Sequence, residues 1–309
     1  MRTSGSPWLI RARVRAIVKE ATAGQETFFV HDAYLRWLET QEHGGPQPAR
    51  HEHDRIRSGW LRRQALLYAR RAPGNACLTG LRHEYVPYPD TELDGRPGPV
   101  NSDSKGCGSV MRSAPFGLTD FTPDRAFTVA ANCARMTHGH PTGYYAAGAF
   151  AALITHLRRG RSLAQATLTV LDHLAGHRGS DEVIVALTTA CDLAEKGRPT
   201  AEKVELLGAS WVAEESLAIA VYCALAGDSV RESLLLAVNH SGDSDSTAAI
   251  CGNLLGAHHG DVALPTDWLA VVEGRGLVGE IADDLDTRFH SDDDPRRLWT
   301  GPARERYDG

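Results

Sequence analysis

Apolar residues recur at helical spacing through most of this chain, and residues that start and stop helices bracket them. In residues 31–41 (HDAYLRWLETQ), Tyr34, Leu35 and Leu38 fall on one face with polar residues opposite. Thr122, Pro123 and Asp124 read as an N-cap, a proline at the first helical position and a carboxylate that complements the helix dipole. The stripe Phe127, Ala130, Ala131 and Ala134 follows at the same spacing. Ser180 opens another helix, with Asp181 and Glu182 in its first turn, and Gly197 followed by Pro199 closes it. Further helices are expected at 143–158, 162–176, 212–226, 229–239 and 245–258. No set of alternating strands with hairpin turns accompanies them. The fold class this predicts is all-α, over a length that suits one large domain or two ordinary ones.

Two stretches resist helix. Residues 42–55 carry Gly-Gly and two prolines among polar residues and are expected as a surface loop. Residues 85–108 are rich in proline and glycine, and connectors of that length are more often functional than idle. After residue 283 the sequence mixes charge runs with few apolar residues, so the domain is expected over 8–282 and a polar tail over 283–309. The net charge of −6 argues against unassisted binding of nucleic acid or anionic membranes. No apolar run approaches the roughly 20 residues that span a bilayer. The start of the chain is not a secretory signal, because arginines flank a very short apolar stretch. Cys77, Cys107, Cys133, Cys191, Cys223 and Cys251 form no Cys-x-x-Cys pair, and several lie in apolar helices. Free thiols in a reducing cytoplasm fit this usage.

Four segments hold residues suited to chemistry. In NHSGDSDSTAAICGNLLGAHHG (239–260), Asp243 and Asp245 lie two apart with Ser246 and Thr247 at a helix start. Close carboxylates repel unless a helix N-terminus or a hard divalent cation offsets them, and carboxylates with a hydroxyl are the oxygen ligands magnesium prefers. One aspartate serving only as N-cap is the alternative. Gly252, Gly256 and Gly260 recur on one face and predict close approach of another helix. In SKGCGSVMRSAPFGL (104–118), Gly106 and Gly108 free the backbone to turn its N–H groups toward phosphate, with Lys105 and Arg112 adding charge; a tight turn before a helix is the alternative. In MTHGHPTGYYAAGAF (136–150), His138 and His140 are either helix caps or ligand contacts, and Tyr144 and Tyr145 either stack on a base or pack in the core. In WVAEESLAIAVYCAL (211–225), helix-dipole complementarity accounts for Glu214 and Glu215.

Taken in order with ARRAPGNACLTGL (69–81), these blocks resemble the ADP-ribosylglycohydrolase family, from about Val30 to Gly260. The resemblance implies a compact all-α domain that removes ADP-ribose from a modified acceptor, through an N- or O-glycosidic bond, with a pair of magnesium ions. It implies Asp243, Asp245 and Ser246 as metal ligands; Ser246 stands where the family usually has threonine. It places Ser104, Lys105, Gly106, Cys107 and Gly108 around the diphosphate and distal ribose, and His138 against the ADP-ribose.

Similar proteins begin with a glycine-rich helix bearing an acidic ligand and a Thr-Asp-Asp-Thr segment. Neither is present here: Thr119-Asp120 and Thr266-Asp267 are each followed by an aromatic residue. The expectation is an incomplete metal site, no identifiable general base, and a Met1 that is not the natural start. The alternative function is a catalytically impaired binder of ADP-ribose.

Overall fold

A computed structural model describes residues 24–289. Among them are fourteen α-helices and no strand. The longer ones are α1 (Glu26–Glu42), α2 (Pro123–Arg135), α3 (Pro141–Arg158), α4 (Leu163–Ala175), α5 (Asp181–Ala194), α6 (Ala213–Ala226), α7 (Val230–Val238), α8 (Ser244–His259) and α9 (Arg275–Phe289). The all-α expectation holds.

Cap chemistry sets several boundaries. Thr122 accepts a hydrogen bond from the Arg125 amide and begins α2, and Ser162 and Gln165 form a reciprocal capping box at α4. Ser180 differs from its expected role. Its hydroxyl turns back to donate to the Leu174 and His177 carbonyls and makes no cap bond to α5.

Helix α3 is the axis of the molecule. Every residue from Pro141 to Leu157 is buried, and α2, α4, α5, α6 and α8 all pack on it. A helix apolar on all sides must lie inside such a shell. The small residues of its sequence admit the neighbours closely. A Cβ at Gly117, in the short helix Ala114–Gly117, would lie 2.4 Å from the Ala151 carbonyl oxygen and 2.6 Å from Ile154 Cβ. Tyr144, Tyr145 and Phe150 of α3 pack with Phe127 of α2, Leu217 and Tyr222 of α6, and Ile250 and Leu254 of α8. The two tyrosines are thus core residues. Their hydroxyls donate to the Arg96 and Leu93 carbonyls.

Those two bonds belong to a larger clamp on the proline-rich connector. Asn132 donates to the Pro89 and Thr91 carbonyls, Arg135 donates to that of Glu92, and Asn101 donates to those of Ala76 and Thr137. Core side chains therefore take the place of a backbone ladder and satisfy a long loop, which delivers residues 104–108 to the start of α3.

The 42–55 stretch is irregular, as expected, and closes on a buried carboxylate. Asp54 accepts from the Arg50 guanidinium and from the amides of Arg50, Ile56 and Arg57. The Arg50 bond, reinforced by those amides, holds the Asp54 carboxyl far below the usual carboxylate range.

Two expectations need correction. The glycines of α8 do not admit another helix among the described residues: a Cβ at Gly252 would meet only Leu234 at 3.6 Å, and one at Gly256 or Gly260 would meet nothing within 4 Å. Ordered structure also crosses the 282/283 boundary, since α9 runs to Phe289 and buries Asp284 and Leu285. Residues 290–309, and the start of the chain up to residue 23, lie outside the described residues. No described helix is long and apolar enough to cross a membrane.

Gly117→Ala should destabilise the protein by about 1–3 kcal/mol through overpacking, read as a lower melting temperature. Asp54→Asn should cost about 1–3 kcal/mol at pH 7. Because folding lowers the Asp54 pKa, its contribution is full above the unfolded value of about 3.9 and is lost as pH falls below it. Urea midpoints of the two forms should converge with acidification through that range.

Candidate functional site

Three segments distant in sequence are joined by backbone hydrogen bonds. The Ala213 amide donates to the Lys105 carbonyl at 2.7 Å, and the Cys107 amide donates to the Trp211 carbonyl at 3.2 Å. The Asp243 amide donates to the Ala209 carbonyl at 2.9 Å. Residues 208–213 thus form a strap that holds the glycine loop on one side and the aspartate turn on the other. The strap needs unusual backbone: Gly208 has φ +114° and Ser210 has φ +63°. For serine such a conformation costs on the order of 1–3 kcal/mol. Buried hydrogen bonds maintain it, with Ser210 Oγ donating to Ser216 Oγ and Ser216 Oγ lying 2.9 Å from the Ser210 carbonyl oxygen. Gly242 is required by contact, since a Cβ there would lie 2.1 Å from the Ala209 carbonyl oxygen.

Asp243 occupies the N-cap position of α8, yet its side chain makes no cap bond. Oδ2 instead accepts from Ser246 Oγ at 2.6 Å and from Cys107 Sγ at 3.2 Å. Burial, aided by the Asp243 charge, pushes the Cys107 thiol up to about 12. At neutral pH it is therefore a protonated donor. Asp243 and Ser246 are buried, and Asp245 is half-buried in the first turn of α8. Thr247 anchors this start to α7 by donating to the Ala237 carbonyl.

The glycine loop lies over His138. A Cβ on Gly106 would sit 3.2 Å from His138 Nε2, and one on Gly108 would sit 3.6 Å from its Cε1. His138 is only 2% exposed, and its Nδ1 lies 2.7 Å from Thr137 Oγ1. Burial, then the nearby Arg112 guanidinium, lowers its pKa to about 3, so it is neutral. His138 backs the loop and does not reach the surface. His140 caps α3, the helix that follows it, by accepting from the Thr142 amide. That is the opposite end from a C-terminal cap on α2.

Neither expected cation is free for phosphate in this arrangement. Lys105 Nζ is 2.6 Å from Glu182 Oε2 and also contacts Glu214 Oε1, while Thr142 Oγ1 donates to Glu182. Arg112 is buried against the Tyr34 ring, with Cys77 and Thr137 as hydrogen-bond partners. What the loop offers is its backbone and the exposed Trp211 beside it.

Sequence reasoning missed the strap, Glu182 and Thr142, and gave Glu214 only a dipole role. Glu214 is 7% exposed and is a charge partner of Lys105. Glu215 accepts from the Ala209 and Ser210 amides and ties down the strained strap. The Gly-Ala-Ser run at 208–210 before the helix start at Ala213 was the available signal. Glu214→Gln should weaken the loop's anchorage and destabilise the fold by about 1–3 kcal/mol in urea unfolding.

The comparisons agree with this architecture. The ADP-ribosylglycohydrolase family model matches residues 9–295. An uncharacterized protein of Archaeoglobus fulgidus is 34% identical over 189 residues, 58% of this chain and 57% of its own length. ADP-ribosylhydrolase ARH3 of Homo sapiens is 27% identical over 60% of this chain and 59% of its own length. The ADP-ribosyl-[dinitrogen reductase] glycohydrolase of Rhodospirillum rubrum is 26% identical over 65% of this chain and 60% of its own length. The aligned part thus spans less than two thirds of these relatives. A solved structure described as an ADP-ribosylglycohydrolase-related protein complex superposes with a TM-score of 0.56 at 21% identity, covering 90% of this chain and 78% of its own. At that identity the match speaks for the fold, and the match to the family model over nearly all of the sequence places this chain in the ADP-ribosylglycohydrolase family.

Proposed function

We propose that this chain binds ADP-ribose and hydrolyses its glycosidic link to a modified acceptor, using magnesium at Asp243, Asp245 and Ser246. The observation that supports this reading is the joining of the Lys105–Cys107 backbone to the Asp243 turn by one strap, which sets a glycine loop beside the Asp243 carboxylate. Support from the relatives' names is by similarity: each describes removal of ADP-ribose.

The donor set suits a hard cation. Two carboxylates and a hydroxyl fall within four residues at a helix start. Bound there, magnesium would supply Lewis acidity and orient a water and the ribose hydroxyls. The residues of the chain supply the rest. Asp243 and Asp245 bring negative charge to a site whose positive potential comes from the start of α8. The Ser104 and Cys107 amides already donate to the Asn101 and Trp211 carbonyls, so the diphosphate is left to the amides of Lys105, Gly106 and Gly108 as a nest. That remote binding energy fixes the anomeric carbon for attack through an oxocarbenium-like transition state. His138, neutral and buried, keeps the loop in place from behind.

A second reading is binding of ADP-ribose without turnover, for which the joined loop and aspartate turn would serve equally. The two readings separate with ADP-ribosylated arginine and serine peptides and magnesium. Turnover predicts release of free ADP-ribose that stops with chelator and falls roughly 10²–10³-fold in Asp245→Asn, the scale of losing one charge-stabilising group. Binding alone predicts a calorimetric signal with ADP-ribose and no release. Absence of both would dismiss the site.

A further inference from the structure

Beside the glycine loop lies a cavity of about 110 Å³ that the proposed chemistry does not use. Its lining includes Tyr34 of α1, Cys77 of the short helix Asn75–Gly80, Cys107, Gly108 and Arg112. Arg112 is the anomaly there. It is only 5% exposed, and the groups that favour its charge are the Tyr34 phenol and the Cys77 and Cys133 thiols. Among the described residues no carboxylate pairs with it. Nη1 donates to Cys77 Sγ at 3.3 Å and Nη2 donates to Thr137, while Nε makes no hydrogen bond. The Tyr34 hydroxyl finds no partner of normal geometry either. A buried charge is costly until an opposite charge meets it. The sulfur of Cys77 is the group placed to become that charge.

We infer that Cys77 is a modification site, oxidised by a small peroxide to a sulfinate that pairs with Arg112. Two peroxide molecules each transfer one oxygen to sulfur and leave as water. In each step an S–O bond forms, the O–O bond breaks, sulfur is oxidised by two electrons and the peroxide is reduced. The first step gives the sulfenic acid and the second the sulfinic acid, whose proton passes to solvent. The sulfinate oxygens then accept from the unused Nε–H of Arg112 and from Nη1, charge-assisted bonds that a neutral thiol cannot make. The cavity admits the reagent: a water needs roughly 10–15 Å³ of such space, and hydrogen peroxide is one oxygen larger. Two thiols line this cavity with opposite partners, and that makes the site selective. Cys107 Sγ donates to Asp243 Oδ2 at 3.2 Å, and a carboxylate there opposes negative charge on the sulfur. Cys77 Sγ instead accepts from a guanidinium. Oxidation has a structural consequence, since Cys77 Sγ is 3.1 Å from where a Cβ on Gly108 would sit, so added oxygens crowd the loop. Any effect of that crowding on a ligand rests on the proposed function; the oxidation itself does not.

The test treats the reduced, chelator-treated full chain with hydrogen peroxide and counts the oxygens gained at each cysteine by peptide mass spectrometry. Cys77 should gain two oxygens more than ~10-fold faster than Cys107 or the half-buried Cys191, the scale of one hydrogen bond to a charged group. Cys107→Ser should leave that rate unchanged, because no disulfide is involved. Arg112→Gln should slow it to the rate of Cys191. A readout free of mutation compares iodoacetate with neutral iodoacetamide on the unaltered chain. The anionic reagent should be favoured at Cys77 relative to Cys191, whose charged neighbours are Asp192 and Glu195. Oxidation spread evenly over the cysteines, or a Cys77–Cys107 disulfide as the only product at Cys77, would overturn the inference. So would an iodoacetate preference no greater at Cys77 than at Cys191. None of these readouts uses ADP-ribose or magnesium, so they stand apart from the fate of the proposed function.

Discussion

Among the described residues, the largest hydrophobic core is arranged around the burial of α3. Its sequence from Pro141 to Leu157 leaves no polar face, so isolated in water it would expose apolar surface on every side. Surrounding it with helices removes that surface, at roughly 25 cal/mol per Å² of apolar area. The arrangement demands small residues where neighbours cross. Gly117 and Gly148 meet that demand, with a Cβ at Gly148 falling 2.9 Å from the Phe127 carbonyl oxygen. The same crowding fixes α2 and α6, and through them the two sides of the candidate site.

The site inherits its rigidity from this core without being part of it. The glycine loop approaches the N-terminal end of α3, where a Cβ on Gly143 would sit 3.1 Å from Lys105 Cα. From the other side comes the 208–213 strap, whose positive-φ serine is tolerated because Ser216 and Glu215 hold it. Through the strap the glycine loop meets the aspartate turn, in the contact between Cys107 and Asp243. A protonated thiol beside a carboxylate and a hydroxyl is a polar cluster with its donors matched to acceptors. The basic side chains near the loop are tied down by acidic or buried partners, so under the proposed function an anion would be met by backbone amides and not by these cations.

Much of the fold was legible because helix periodicity and capping are local. Thr122 and Pro123 mark the start of α2 as expected, and the apolar stripe of Phe127, Ala130, Ala131 and Ala134 is buried in full. The readings that failed were those in which a residue type has two uses and only its surroundings choose. Ser180 looked like a cap and bonds backward; His140, open between a helix cap and a ligand contact, caps the next helix; the α8 glycines looked like a packing seam, yet Cβ atoms there would meet at most Leu234 at 3.6 Å.

By itself the sequence determined the helical class, most helix boundaries, the two long loops and the family to which the chain belongs. It did so because these depend on spacing and side-chain type over a few residues, and on blocks kept in order. Only the tertiary structure decided that Asp243 turns from its own helix toward Cys107, and that Glu214 and Glu182 hold Lys105. Cys107 and Asp243 are 136 residues apart. No local propensity encodes a contact at that range; it follows from how helices close around α3, and that is settled by packing the whole chain at once.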